Sequence, residues 1–186
     1  MQTRAGAPFL YTKGQAFQMP FDKFTLKGAV YPLGHLDGFD VTVPAKDPLA
    51  APATLRVTFS HHVFSEKWDD AIHDIEHQFE VDGERRSFCS VRYGCSIGLR
   101  DIVGYHVSGK AFESRDSNGV MRHLFYAEAD GIQYPVFFNL RKADRIPGVH
   151  GILHIISAYQ KPDLPSRVRL QSVKFARLVH RTCPPR

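Results

Sequence analysis

One apolar stretch of the chain carries several side chains that can do chemistry. Residues 152–156 are apolar enough for a buried strand, yet the strand holds His154 and ends in Ser157 and Tyr159. An imidazole titrates near neutral pH and can accept or donate a proton. A buried neutral histidine with one hydrogen-bond partner is common, so we interpret His154 as a core residue. The hydroxyls of Ser157 and Tyr159 are stronger functional candidates, because they lie where the strand reaches solvent.

A second group of side chains has a spacing that could bind a metal ion. His73 and His77 are four residues apart in the segment HDIEH, and on a helix both imidazoles would lie on one face. The segment lacks the glutamate of the H-E-x-x-H motif, and an exposed helix face explains the same residues. The chain also has no P-loop and no dinucleotide-binding glycine motif. We therefore predict neither a metal ion nor another cofactor.

The elements that must position these groups follow from the hydrophobic periodicity. Residues 55–60 alternate strictly, which predicts a strand that continues into His61 and His62. A helix is predicted from Ser96, as N-cap, to about residue 108. Strands are predicted at residues 122–129, 132–142, 151–160 and 173–180, with Asp130-Gly131 as a hairpin turn between the first two. This order predicts an α+β fold, in which a helix is followed by a four-stranded antiparallel meander.

Length and composition indicate one packed domain with an N-terminal extension. The chain has 186 residues, of which 43% are hydrophobic and 23% are charged. We predict an irregular, β-rich N-terminal extension over residues 1–53 and the α+β domain over residues 54–186. Neither a membrane-spanning run nor a signal peptide is apparent, so we expect a cytoplasmic protein without a membrane partner. The three cysteines fit no zinc-ribbon spacing and are expected to be free thiols.

The charge distribution is suited to a polyanionic partner. The net charge is +5 at pH 7, and the isoelectric point is near 9.2. Residues 166–186 contain no carboxylate but hold six arginine and lysine residues: Arg167, Arg169, Lys174, Arg177, Arg181 and Arg186. A solvated basic tail explains this segment as well as a nucleic-acid contact does.

Strand alternation gives register predictions for the candidate residues. One face should carry Leu153, Ile155, Ser157 and Tyr159, and the other Ile152, His154, Ile156 and Ala158. Antiparallel pairing of the 132–142 and 151–160 strands places Tyr159 near Tyr134, Ser157 near Val136 and His154 near Asn139, with Val136 opposite Phe125. In a regular strand, His61 would point inward and His62 outward, so both could not face one site.

The C-terminal half resembles a known group of enzymes. The strand pair YPVFFNLRKA and GILHIISAYQKP, preceded by a helix and followed by VKFARLVH, resembles the sheet of small RNA-cleaving toxins. These are the RelE-like and related secreted ribonucleases, whose helix-plus-four-strand fold is shared by barnase and colicin E5. Prophage proteins of unknown function with a similar Ser-Ala-Tyr strand ending also look similar. The resemblance covers about residues 96–181 and rests on strand order and one tripeptide.

The resemblance implies a toxin-like protein that cleaves RNA without a metal ion. In such enzymes a base takes the 2′-hydroxyl proton, cations hold the phosphate and an acid protonates the departing 5′-oxygen. On this sequence His61 would be the proton acceptor, and Arg92 or Lys110 would hold the phosphate. Ser157 and Tyr159 would position the scissile group. The implied partners are RNA and, for a toxin, a neutralising protein.

Two other classes of function remain open. The basic C-terminal segment, with Phe175 and His180, could belong to a non-catalytic RNA- or DNA-binding module that contacts phosphates and stacks on bases. Alternatively, a phage or mobile-element accessory protein could bind another protein through the N-terminal aromatic residues Phe9, Tyr11, Phe17, Phe21 and Phe24. Salt-dependent binding without cleavage would indicate the first class, whereas 2′,3′-cyclic phosphate products would indicate an enzyme.

Overall fold

The computed structural model describes residues 22–45, 50–115, 119–129, 131–160 and 170–185. Within these ranges the fold is mixed α/β and mostly sheet. The strands are β1 Lys23–Leu26, β2 Ala29–Pro32, β3 Phe39–Val43, β4 Ala53–Phe59, β5 Ser65–Lys67, β6 Gln78–Val81, β7 Glu84–Phe88, β8 Lys110–Arg115, β9 Met121–Ala129, β10 Ile132–Lys142, β11 Gly151–Ala158 and β12 Gln171–Lys174. Four of the aromatic residues considered for binding another protein lie outside the described residues: Phe9, Tyr11, Phe17 and Phe21.

Three α-helices accompany the strands in the described ranges. They are α1 Ser90–Ile97, α2 Leu99–His106 and α3 Phe175–Thr182. The predicted helix at residues 96–108 is therefore wrong at its start, because Ser96 lies in the last turn of α1 and is not an N-cap. Gly98 ends α1 and precedes α2, so it divides two short helices. Among the described residues, no helix is long and apolar enough to cross a lipid bilayer.

The main sheet has seven strands in the order β12-β8-β9-β10-β11-β4-β3. Strands β8 to β11 are antiparallel neighbours, whereas β4 lies parallel to β11 and carries β3 on its outer side. The sheet is therefore mixed. A two-stranded hairpin, β1-β2, and a three-stranded sheet, β5-β7-β6, complete the β structure.

The predicted fourth strand of the meander, residues 173–180, is wrong. Only its beginning is a strand: β12 pairs with β8 at one edge of the sheet, and α3 starts at Phe175. Phe175, Leu178 and Val179 are buried at helical spacing. The Phe175 ring packs edge-on against Phe125 and Phe138 of the sheet, at 5.1 and 5.8 Å between centroids. This packing favours the helix.

The predicted register holds along most of β10 and β11. Asn139 pairs with His154, and Val136 with Phe125, as predicted. A bulge then shifts the register, because Phe138 pairs with Ile155 but Phe137 pairs with Ser157. The extra residue places Ser157 on the face opposite Ile155, so the prediction that they share a face is wrong.

The three helices cover one face of the main sheet. His106 of α2 stacks on Phe125, with ring centroids 4.5 Å apart. The Tyr134 hydroxyl donates to the Cys95 carbonyl of α1 at 3.3 Å. We call this side the helix-covered face. Because strand side chains alternate, Thr58, Asn139, His154 and Ser157 lie on the other side, which we call the opposite face.

Candidate functional site

His61 and His62 lie side by side, contrary to the prediction that they point in opposite directions. Strand β4 ends at Phe59, and residues His61–Val63 form a 3₁₀ turn. The Ser60 hydroxyl accepts a hydrogen bond from the His62 amide at 3.2 Å, which caps this turn. The two imidazoles consequently stack, with centroids 4.3 Å apart and planes inclined by 26°. The prediction assumed that strand alternation continues through His61 and His62, but β4 ends before these residues.

The environment of His61 favours a neutral imidazole. Its side chain is 11% exposed, and Nδ1 lies 3.8 Å from Asp82 Oδ2. Burial lowers the pKa of His61, as does Arg86, while Asp82 and Glu84 act in the opposite sense. Nε2 is buried and has no hydrogen-bond partner among the residues that the structure describes. The carboxylate beside Nδ1 favours the tautomer with its proton there, so Nε2 carries a lone pair that can accept a proton.

The neighbouring His62 is fixed by a buried arginine. Arg86 is 4% exposed, and its Nη2 donates to His62 Nδ1 at 3.0 Å. A guanidinium can only donate, so the proton of neutral His62 is on Nε2. Burial is the largest cause that lowers the pKa of His62, and together with the charges of Arg86 and its other neighbours it brings this pKa to about 4. His62 is therefore uncharged near neutral pH, in a positive local field.

Arg92 links this turn to the end of β11. It lies in α1, and its Nη1 donates to the carbonyls of His62 at 3.2 Å and Ser65 at 3.0 Å. Its guanidinium carbon lies 4.0 Å from the centroid of the Tyr159 ring, a cation–π contact. The structure thus brings together the His61–His62 turn, Arg92 and Tyr159, three of the positions chosen from sequence.

The other two chosen residues lie apart from this group. Ser157 is half-buried on the opposite face, paired with Phe137. Lys110 begins β8, which is separated from β11 by β9 and β10. Three strand spacings amount to about 14 Å, so Lys110 cannot hold a phosphate bound beside Arg92.

His154 lies closer to the site than sequence reasoning indicated. It forms a hydrogen bond with Thr58 Oγ1 at 2.9 Å, across the parallel β4–β11 pair. Burial lowers the pKa of His154, with contributions from Arg141 and His61. His154 in turn contributes to lowering the pKa of His62. The missing signal was the β4–β11 pairing, which joins residues 96 positions apart.

The residues fit an anion better than a divalent metal ion. His73 Nδ1 accepts from the Asp69 amide at 2.8 Å and His77 Nδ1 faces the Phe88 carbonyl at 3.3 Å, and neither lies in an α-helix. Nitrogens of His61 and His62 lie within 4.8 Å of a Glu84 carboxylate oxygen. However, a metal ion prefers the plane of each imidazole ligand, and two stacked rings inclined by only 26° do not point their nitrogens at one position. The Arg86 charge beside them further disfavours a cation.

An open cleft adjoins the arginine of this group. It has a volume of about 720 Å³ and is lined by residues 66–73 and Arg92. The guanidinium of Arg85 lies 5.0 Å from the centroid of Trp68. Asp70 accepts from Trp68 Nε1 at 2.7 Å and pairs with Arg85 at 3.2 Å, so these polar groups satisfy one another.

One motif escaped the sequence reasoning. Residues 94–98 read Gly-Cys-Ser-Ile-Gly, the spacing of a G-x-S-x-G nucleophile motif, and Ser96 Oγ lies 2.8 Å from His35 Nε2. The motif requires a sharp strand-to-helix turn that exposes the serine. Ser96 instead lies inside α1, is fully buried and donates to the Tyr93 carbonyl at 2.7 Å. The Ser96–His35 contact therefore attaches the turn at residues 34–36 to α1.

The fold and site together define a mixed α/β protein with a histidine–arginine cluster at one end of its main sheet. The chain belongs to the YjaZ family, whose model matches residues 23–183. Neither the curated proteins nor the solved structures contain a match to this chain.

The electrostatic origin of the His62 pKa can be tested with one substitution. Arg86→Met removes a charge that lowers this pKa and keeps most of the side-chain volume. We expect the pKa of His62 to rise from about 4 towards its ordinary value of 6.5, measured by NMR titration of the imidazole protons. Arg85→Met is the matched control, because Arg85 pairs with Asp70. Equal pKa values of His62 in both variants would contradict the assignment.

Proposed function

We propose that this protein cleaves RNA without a metal ion, at the site formed by His61, Arg92 and Tyr159. The observation that carries the proposal is the position of Arg92, held between the His62 carbonyl and the Tyr159 ring. Cleavage joins the 2′-oxygen to phosphorus and breaks the bond to the 5′-oxygen, which takes a proton from water as it leaves. The protein has to supply a proton acceptor for the 2′-hydroxyl and a cation at the phosphate. An imidazole and a guanidinium at the same end of the sheet supply these two groups.

In this proposal His61 accepts the proton from the 2′-hydroxyl. Its lowered pKa keeps it neutral near pH 7, as a base must be. Nε2 is buried, so RNA has to displace a neighbouring side chain before it reaches this atom. The neighbouring carboxylates Asp82 and Glu84 are 57% and 62% exposed, and exposed side chains change rotamer rapidly.

Arg92 and Tyr159 would hold the scissile phosphate and its nucleoside. Only Nη1 of Arg92 is used by the two carbonyls, which leaves other N–H donors of the guanidinium for phosphate oxygens. Tyr159 offers an aromatic ring and a hydroxyl at the same position. Ser157 lies two residues before it on the opposite face, and Lys110 takes no part.

RNA binding without cleavage is the second candidate function. The buried Nε2 of His61 specifically favours it, because an imidazole that RNA cannot reach cannot act as a base. The same arginines and aromatic rings would then serve to bind phosphates and bases.

A cleavage assay separates these two functions. Single-stranded RNA is incubated with the protein in a chelator, and the products are examined for 2′,3′-cyclic phosphate ends. We expect cleavage by the unmodified protein and a loss of about 10²- to 10⁴-fold in His61→Ala, the usual contribution of one acid–base group. Tyr159→Phe keeps the ring that stacks on Arg92 and removes only the hydroxyl, so its cleavage rate reports on the hydroxyl alone.

The matched control is His180→Ala, which changes a histidine of α3 that lies outside the cluster. It should cleave at the rate of the unmodified protein. Intact RNA with all proteins would exclude cleavage, and salt-dependent binding in the same samples would then support the second candidate. Equal cleavage by the unmodified protein and His61→Ala would exclude His61 as the base.

A further inference from the structure

A row of polar side chains crosses the opposite face of the main sheet. Asn139 on β10, His154 on β11 and Thr58 on β4 lie at one level, because they are consecutive partners in the register. Arg122 on β9 extends the row, with Nη1 3.5 Å from Asn139 Oδ1. On the helix-covered face, the equivalent positions are apolar core residues such as Leu153 and Val57. Packing of the core therefore does not explain the polar row.

The adjoining row adds positive charge. Arg141, Ile152 and Arg56 are consecutive partners across β10, β11 and β4. Arg56 pairs with Asp40, where Nη2 donates to Oδ2 at 3.0 Å. Arg141 is exposed and forms no ion pair with any residue that the structure describes. Arg122 and Arg141 thus lie on one sheet face, each next to Asn139.

The two rows lead along β10 and β11 to the proposed catalytic site. The next position on the same face holds Phe137, paired with Ser157, and Tyr159 follows two residues later. Phe137 is half-buried, because one side of it packs against the apolar cluster of Phe112, Leu124 and Tyr126 on this face, and the exposed part of its ring lies beside the polar row. His154, in the middle of the row, lies close enough to His61 that the charge of His61 contributes to lowering the pKa of His154.

We infer that the opposite face binds single-stranded RNA, with Arg122 and Arg141 on phosphates, Asn139 on a base or ribose and Phe137 stacked on a base. Exposed polar side chains beside a partly exposed aromatic ring suit splayed, unstacked bases, which a double helix does not present. The path of the bound RNA along β11 towards Tyr159 rests on the proposed function, whereas binding of RNA to the opposite face does not require cleavage.

The test measures the affinity for a fluorescein-labelled oligouridylate by anisotropy over a range of KCl concentrations. Loss of one phosphate contact should reduce the slope of log affinity against log salt by about 0.7. We expect this change in Arg141→Gln and in Arg122→Gln, each with weaker binding at low salt. Asn139→Asp, which puts a negative charge at an exposed position of the row, should also weaken binding.

Arg177→Gln is the matched control, because Arg177 is an exposed arginine of α3 on the helix-covered side. It should bind with unchanged affinity and slope. The inference is overturned if Arg177→Gln weakens binding and the sheet variants do not, if a duplex binds as tightly as the single strand, or if no oligouridylate binds. Arginine-dependent binding without cleavage would refute the catalytic proposal alone. Cleavage that is insensitive to Arg141 and Arg122 would refute the sheet-face inference alone.

Discussion

Gly151→Ala is expected to destabilise the protein by about 3 kcal/mol or more, at the upper end of the cost of overpacking a core. A Cβ atom at this position would lie 2.5 Å from Cys183 Sγ and 2.8 Å from Leu55 Cδ2. Both neighbours are fully buried, so neither has space to move away. Gly151 begins β11 and pairs with Lys142 and Leu55, so the clash would fall where three strands and the end of α3 meet. The free energy of unfolding from denaturant titration measures the effect.

Gly104→Ala provides the matched control for this substitution. Gly104 lies in α2, and a Cβ there meets no atom of the described ranges within 4 Å. Alanine in an exposed helix position should stabilise the protein by about 0.5–1 kcal/mol. Adding Cys183→Ala to Gly151→Ala should restore part of the loss, because it removes the Sγ contact but leaves those with Leu55 and with the Cβ of residue 183, at 2.9 Å. Equal unfolding free energies for the two glycine variants would contradict the packing around β11.

The parts of the fold that local sequence determines could be predicted. The β9–β10 hairpin and β11 follow from alternation and from the glycine at residue 131, which has a φ of +75°. The segment at residues 173–180 was ambiguous, since Val173, Phe175 and Val179 fit a strand while Phe175, Leu178 and Val179 fit a helix. Contact with Phe125 and Phe138 decides between them, and this contact is not visible in the sequence.

The candidate site depended on features that the sequence does not contain locally. A single bulge beside Phe138 moved Ser157 to the opposite face, and the 3₁₀ turn after Phe59 let His61 and His62 stack. The parallel pairing of β4 with β11 places the histidine turn beside the end of β11. Residue types alone selected His61, Arg92 and Tyr159, whereas this non-local pairing explains why the turn that holds His61 lies beside Arg92 and Tyr159.

Lowering the pH from 7 towards 4 is expected to destabilise the protein progressively. Burial lowers the pKa values of five histidines in the folded state: His35, His61, His62, His123 and His154. Between the folded and unfolded pKa values, the unfolded chain binds more protons, so the free energy of unfolding falls as pH falls. For His62 this window extends from 6.5 down to about 4. Because the ring is only half-buried, we expect the lowered pKa of His62 to cost roughly 2 kcal/mol of stability as the pH falls from 7 to 4.

Denaturant titrations at several pH values test this, with His62→Gln as the informative variant. Glutamine can still accept the hydrogen bond from Arg86 through its side-chain oxygen but does not titrate. The slope of unfolding free energy against pH should therefore decrease in His62→Gln, by up to the contribution of one proton. His180→Gln removes a histidine outside the cluster and should leave the slope as in the unmodified protein. A stability that stays constant down to pH 4, or a slope that both variants reduce equally, would mean that the buried histidines do not control the acid sensitivity of the fold.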